Sequence, residues 1–213
     1  MKANKIYKTY LELLKKHGNP ADFWPQWCAR KKDNALREVI SIGAILTQRT
    51  SWHNADLALK NLKRESLLSF KSIVSLADLK LLAKLIKPAG FYQTKPKRLF
   101  VFASFVINEY KSLRDFAKED LDISRKKLLG LYGIGPETAD TILLYALDKP
   151  TFVIDEYTKR LARQKKLSLE LSYDGLKSLF EENLPKDATL FQNFHALIII
   201  DQKGRKHSMM AFV

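Results

Sequence analysis

Cysteine is almost absent. Cys28 is the only one in 213 residues, which excludes an intramolecular disulfide and any four-cysteine cluster. Acidic side chains are outnumbered: 23 Asp and Glu stand against 37 Lys and Arg, a net charge of +14. That excess suits a polyanionic partner bound with a salt-dependent affinity. By charge alone, a nucleic acid, an acidic membrane surface and a merely basic exterior are all open. No apolar run approaches the roughly 18 residues of a membrane span. The opening MKANKIYKTY has no apolar signal core, so the expected location is intracellular: cytoplasmic, and nucleoid-associated in a prokaryote. Alternating strand patterns, internal repeats and low-complexity stretches are missing as well. His17, His53 and His207 show no metal-ligand spacing, and no Ser/His/Asp or phosphate-loop signature occurs.

What remains reads almost entirely as helix. Hydrophobic residues make up 46% of the chain, enough for a substantial core. The periodicities predict helices over 6–16, 36–48, 51–62, 67–74, 76–86, 97–110, 113–120, 124–131, 136–147, 155–164, 174–182 and 188–201, with 203–213 as a loose tail. The helix from Leu36 to Gln48 is apolar nearly all round and is expected at the centre of the core. The loop from Asn19 to Asp33 carries Phe23, Trp24, Pro25 and Trp27. His195, in FQNFHALIII, reads as a satisfied core histidine.

The chain is organised around Leu128 to Arg160, LLGLYGIGPETADTILLYALDKPTFVIDEYTKR. A helix breaks at Gly133-Ile134-Gly135, where both glycines permit positive φ and a close backbone approach. Pro136 suits the first position of the next helix. The N–H groups at Gly135 and the helix start suit a phosphate. Phe152-Val153-Ile154 then delivers Asp155 as N-cap of the helix EYTKRLARQ. A carboxylate at a helix start stays ionised readily.

This ordered string resembles the helix–hairpin–helix of the DNA glycosylase superfamily that includes endonuclease III. The resemblance implies an all-α fold of two helical lobes with the active site in the cleft between them. Residues 34–145 would form the middle lobe, and residues 1–33 with 146–213 the other, in a single glycosylase unit. It also implies that Asp155 is the catalytic aspartate and that duplex DNA carrying a damaged base is the partner of a monomer. Family members that also cut the strand have a lysine two residues past the second glycine. That position is Glu137 here. A carboxylate forms no imine, so a monofunctional enzyme that leaves an abasic site is expected. Many relatives carry an iron–sulfur cluster in a C-terminal loop, and the corresponding stretch here, HALIIIDQKGRKHSMMAFV, has no cysteine. No cofactor is required, though the hairpin of relatives binds a monovalent cation.

Within the family the chain is most similar to the small 3-methyladenine DNA glycosylases without the cluster. The carriers are the aromatic-aromatic-proline loop Phe23-Trp24-Pro25, Trp52 four residues past Gln48, and Gly-Ile-Gly-x-Glu-x-Ala-Asp at 133–140. The resemblance implies that Gln48 fills the gap left by a flipped nucleotide, with Arg49 on a phosphate or the orphaned base. Phe23, Trp24, Pro25, Trp52 and Glu137 would line the base pocket. Phe91, Tyr92, Gln93 and Lys95, then Lys97 and Arg98, would meet the minor groove and phosphates, as would Gly133, Ile134, Gly135 and Thr138 of the hairpin. Lys126 and Lys127 suit phosphates or plain surface. An alkylated purine is cationic and is attracted to indole rings by about 0.5–2 kcal/mol. Alternatives of the same fold remain: a uracil or mismatch glycosylase, a glycosylase/lyase, or a non-catalytic DNA-binding relative.

Overall fold

A computed structural model describes residues 4–204, and no strand occurs among them. They divide into two compact units, residues 4–30 with 148–204 and residues 31–147. The first contains α1 (Lys5–His17), α10 (Glu156–Gln164), α11 (Tyr173–Glu182) and α12 (Ala188–Lys203). The second contains α2 (Asn34–Leu46), α3 (Trp52–Arg64), α4 (Phe70–Val74), α5 (Lys80–Leu85), α6 (Lys95–Tyr110), α7 (Leu113–Phe116), α8 (Leu121–Leu129) and α9 (Pro136–Thr141).

The helix starts are written in short polar residues. Asn4, Asp33, Ser51, Ser69, Ser112, Asp120, Asp155, Ser172 and Asp187 each accept an N–H from the first turn of the helix they precede. Each such cap satisfies a donor that the helix cannot, and is worth about 1 kcal/mol. Helices α6 and α9 begin instead with a proline in the first two positions, where a missing N–H costs nothing. Several elements are shorter than their periodicity predicts: α4 starts at Phe70, α5 at Lys80, and α7 ends at Phe116. Lys203 closes α12 rather than opening a tail, and 205–213 lie outside the described residues.

In the 31–147 unit, Ile40 to Leu46 of α2 are all buried, so α2 is central as its all-round apolarity predicts. The second hairpin helix does run on to Leu147, but not as one regular helix. After α9 the residues Ile142–Ala146 form a π turn, and the Leu147 N–H reaches the Ile142 carbonyl at 3.1 Å. These five side chains are fully buried.

In the other unit, Phe152 is clamped by three rings. It stacks on Phe180 at 4.5 Å and meets Phe191 and Phe194 at 5.5 and 5.7 Å. Its N–H donates to Glu181 at 2.7 Å. Together these fix the extended segment that ends at Asp155.

The hairpin has its own buried ion pair. Asp140, fully buried on α9, accepts from Arg125 Nε at 2.8 Å and Nη2 at 3.2 Å. The pair locks α8 to α9 across the turn. Deleting one partner of a buried pair typically costs about 3–5 kcal/mol, because the other charge is left stranded. Asp140→Ala is therefore expected to lower the urea-unfolding free energy by about that amount; a loss under about 1 kcal/mol, the level of an exposed pair, would mean the pair does not hold the hairpin.

Candidate active site

Three loops of the 31–147 unit are tied together by side chains. The hairpin turns through Gly133 at φ +77°. A Cβ there would lie 2.4 Å from Arg98 Nε, so conformation and space both demand glycine. Gly135 differs from its expected role. Its φ is −91°, open to any residue, and a Cβ would project into open space. That open side is where a strand backbone can come close. Ile134 is buried, and its N–H is used on the Leu131 carbonyl at 3.2 Å.

Gln48 is held from three sides. Its Nε2 donates to the Gly133 carbonyl at 3.0 Å and to Thr138 Oγ1 at 2.9 Å. Its Oε1 accepts from Arg98 Nη1 at 2.5 Å. Gln48 is half-buried, and with these three bonds its amide braces the hairpin. Thr138, also expected on DNA, is buried and has its hydroxyl turned to Gln48. Arg98, half-buried, supplies one of these struts.

Lys95 is the largest departure from expectation. Read as a phosphate contact, it is fully buried, and its Nζ donates to the carbonyls of Leu46 at 2.7 Å and Ala89 at 2.8 Å. The ammonium thereby closes the carboxyl end of α2 and the turn before Phe91, where carbonyls lack helical partners and a positive charge is favoured. Burial, helped by the charge of Arg98, pushes its pKa down to about 8.

The residues these struts present are exposed and strained. Arg49 and Phe91 have φ +53° and +47°, left-handed values that cost a non-glycine residue about 1–3 kcal/mol. Phe91 is 51% exposed and Tyr92 41%; Arg49 and Gln93 are exposed too. Tyr132, at the hairpin tip and not anticipated from the sequence, is 49% exposed, with Lys97 Nζ 4.7 Å from its ring centroid. Interleaved rings and cations of this kind suit a nucleic-acid surface. Glu137 is exposed in the first turn of α9, where the helix dipole favours a negative charge. Trp52, the first residue of α3, is buried.

The 4–30 and 148–204 unit carries Asp155. Its Oδ1 accepts the Thr158 N–H at 2.7 Å, so it is the cap of α10 that the sequence predicts. Its Oδ2 faces His195 Nε2 of α12 at 3.5 Å. Desolvation pushes the carboxyl upward, but the hydrogen bond and charge of His195, with the Thr158 contacts, outweigh it and leave the pKa below the usual aspartate value. Asp155 is thus ionised well below neutral pH. His195 is buried, as expected of a core residue, yet it is also polar company for Asp155. Nothing local in FQNFHALIII signals a partner 40 positions away. Trp24, expected to wall a base pocket, is 2% exposed and sits edge-on to Trp27 and His195, centroids 6.1 and 6.4 Å away. It supports His195 from behind and has no open face for a base. Phe23 is half-buried and Pro25 exposed.

The geometry has counterparts among known proteins. Residues 42–186 match the family described as HhH-GPD superfamily base excision DNA repair protein. The chain is 44% identical over 205 residues to a protein of Methanocaldococcus jannaschii named "Putative DNA repair glycosylase", covering 93% of this chain and 89% of that one. It is 28% identical to the 3-methyladenine DNA glycosylase of H. pylori, whose crystal structure holds 1,N6-ethenoadenine; the TM-score is 0.75 over 93% of this chain and 96% of that one. Endonuclease III of Thermotoga maritima is 28% identical over 160 residues, 72% of this chain and 69% of that one.

Lys95 yields a pH signature. The folded protein releases this proton near pH 8, whereas an unfolded lysine keeps it to about 10.4. Between those values the unfolded chain binds more protons, so Lys95 makes stability rise with pH. Unfolding by urea at pH 7.5 and 10 should show that gain in the wild type and its loss in Lys95→Met. A wild-type-minus-variant difference that does not change with pH would refute the lowered pKa of Lys95.

Proposed function

The chain belongs to the HhH-GPD superfamily of base excision DNA repair proteins, and from that premise we propose that it is a monofunctional glycosylase for alkylated purines of the 3-methyladenine type. The single observation that carries the reading is an ionised, helix-capping Asp155 at the end of a rigidly held segment. The similarity to a 3-methyladenine glycosylase over nearly the whole chain supports the choice of substrate.

In this reading the hairpin grips the strand through the N–H groups at Gly135 and the start of α9, and Arg49, Tyr92 and Gln93 meet the grooves and phosphates. Phe91 and Tyr132 add exposed rings to that surface. The damaged nucleotide leaves the stack and its base lies against Phe23 and Pro25. The bond between sugar C1′ and the base nitrogen breaks, and its electron pair leaves with the base. A cationic alkylated base departs as a neutral molecule, so no general acid has to protonate it. Positive charge grows on the sugar, where the Asp155 carboxylate stabilises it. Asp155 also orients the water that adds to C1′ and takes up its proton. Glu137 offers no amine to trap the sugar as an imine, so the product is an abasic site with the strand intact. The reaction calls for no cofactor. A monovalent cation on hairpin carbonyls fits the same reading, with the Gly133 carbonyl already sharing one lone pair with Gln48.

The test is incubation of the protein with labelled duplexes carrying 3-methyladenine, uracil, a G·T mismatch or an oxidised pyrimidine, with products read before and after alkali. The expected result is base release from the alkylated duplex alone, with strand breaks only after alkali. Release of uracil or thymine instead would replace the substrate assignment. Strand breaks without alkali, trapped by borohydride, would overturn the role of Glu137. Asp155→Asn is expected to reduce release by at least about a thousandfold, or about 4 kcal/mol in barrier, while retaining DNA affinity.

A further inference from the structure

Asp155 has two oxygens and a separate partner for each. The Thr158 N–H holds Oδ1, and His195 Nε2 faces Oδ2. The second partner comes from α12, 40 positions downstream, and not from the element that Asp155 caps. Its ring is itself positioned: Trp24 and Phe152 stand edge-on to it, each with centroids 6.4 Å away, and Phe152 belongs to the segment that carries Asp155. Histidine can donate from Nε2 both as imidazolium and as the Nε2–H tautomer. At 3.5 Å the contact is at the outer edge of hydrogen-bond reach, a common state for a catalytic pair before substrate arrives.

We propose that His195 is a positioning residue for Asp155, fixing the carboxylate oxygen that the Thr158 N–H does not hold. The role rests on the glycosylase reading of Asp155 given above. Without His195 the carboxylate keeps its cap but can swing about the Cβ–Cγ bond, and desolvation is then opposed only by Thr158. A misplacement of about 1 Å can cost on the order of a hundredfold in rate.

Single-turnover release of 3-methyladenine is measured from about pH 3 to 8 for the wild type, His195→Phe, His195→Gln and Asp155→Asn, with DNA affinity measured in parallel. For His195→Phe the expectation is a rate lower by about 10- to 100-fold, an acid limb displaced to higher pH, and unchanged DNA affinity. His195→Gln places an amide N–H near the Nε2 position without the charge. It should recover most of the neutral-pH rate while keeping a raised acid limb. A merely structural histidine would move neither the limb nor the rate of well-folded protein. A wild-type rate and limb in His195→Phe would overturn the proposal. If that variant does not fold, His195→Gln decides, and an acid limb coincident with the wild type overturns it. Turnover by Asp155→Asn would remove the glycosylase reading itself, whereas an inert Asp155→Asn beside a normal His195→Phe would remove only the positioning role.

Discussion

An ionised carboxylate that has lost most of its water depends on donors and charge placed beside it. Asp155 has a helix-start N–H on one oxygen and an imidazole nitrogen 3.5 Å from the other. Much of its unit serves that arrangement. Phe180, Phe191 and Phe194 pin Phe152, Glu181 takes its N–H, and Trp24 backs His195. Aromatic packing is directional and stiff, so the carboxylate inherits a fixed position from the rings around Phe152. As a cap it stabilises α10 by satisfying a backbone donor.

The other unit shows a comparable division of labour. Gln48, Arg98 and Lys95 are polar and would ordinarily be assigned to the surface of a basic protein. Each is instead committed inward, to the hairpin carbonyl and hydroxyl, to a neighbouring amide, or to two helix-end carbonyls. The strained, exposed tips at Arg49 and Phe91 sit beside these struts in sequence. Strain of that kind persists only where the surroundings over-determine the backbone. The buried Asp140–Arg125 pair anchors the same hairpin from its far side.

The helical character of the chain and most helix positions were legible because capping residues and apolar periodicity agree. Gly133 and the capping role of Asp155 were legible for the same local reasons. What was not legible is which way a long polar side chain points. Lys95 and Gln48 have the composition of surface residues, and only the position of carbonyls 6 to 85 residues away makes them internal. Trp24 and Phe23 are adjacent and similar in type, yet one is sealed and the other half-open. His195 belongs to the same class: an apolar helix explains its burial but says nothing of Asp155. The π turn left no trace either, since five apolar residues in a row satisfy either helical register.

That turn has a consequence for how the molecule could have changed over time. A π turn takes up one more residue than an α turn over nearly the same rise. It therefore acts as slack inside the second hairpin helix. A lineage that gained or lost one residue here could absorb the difference by widening or tightening a single buried turn, leaving the hairpin that precedes it in place.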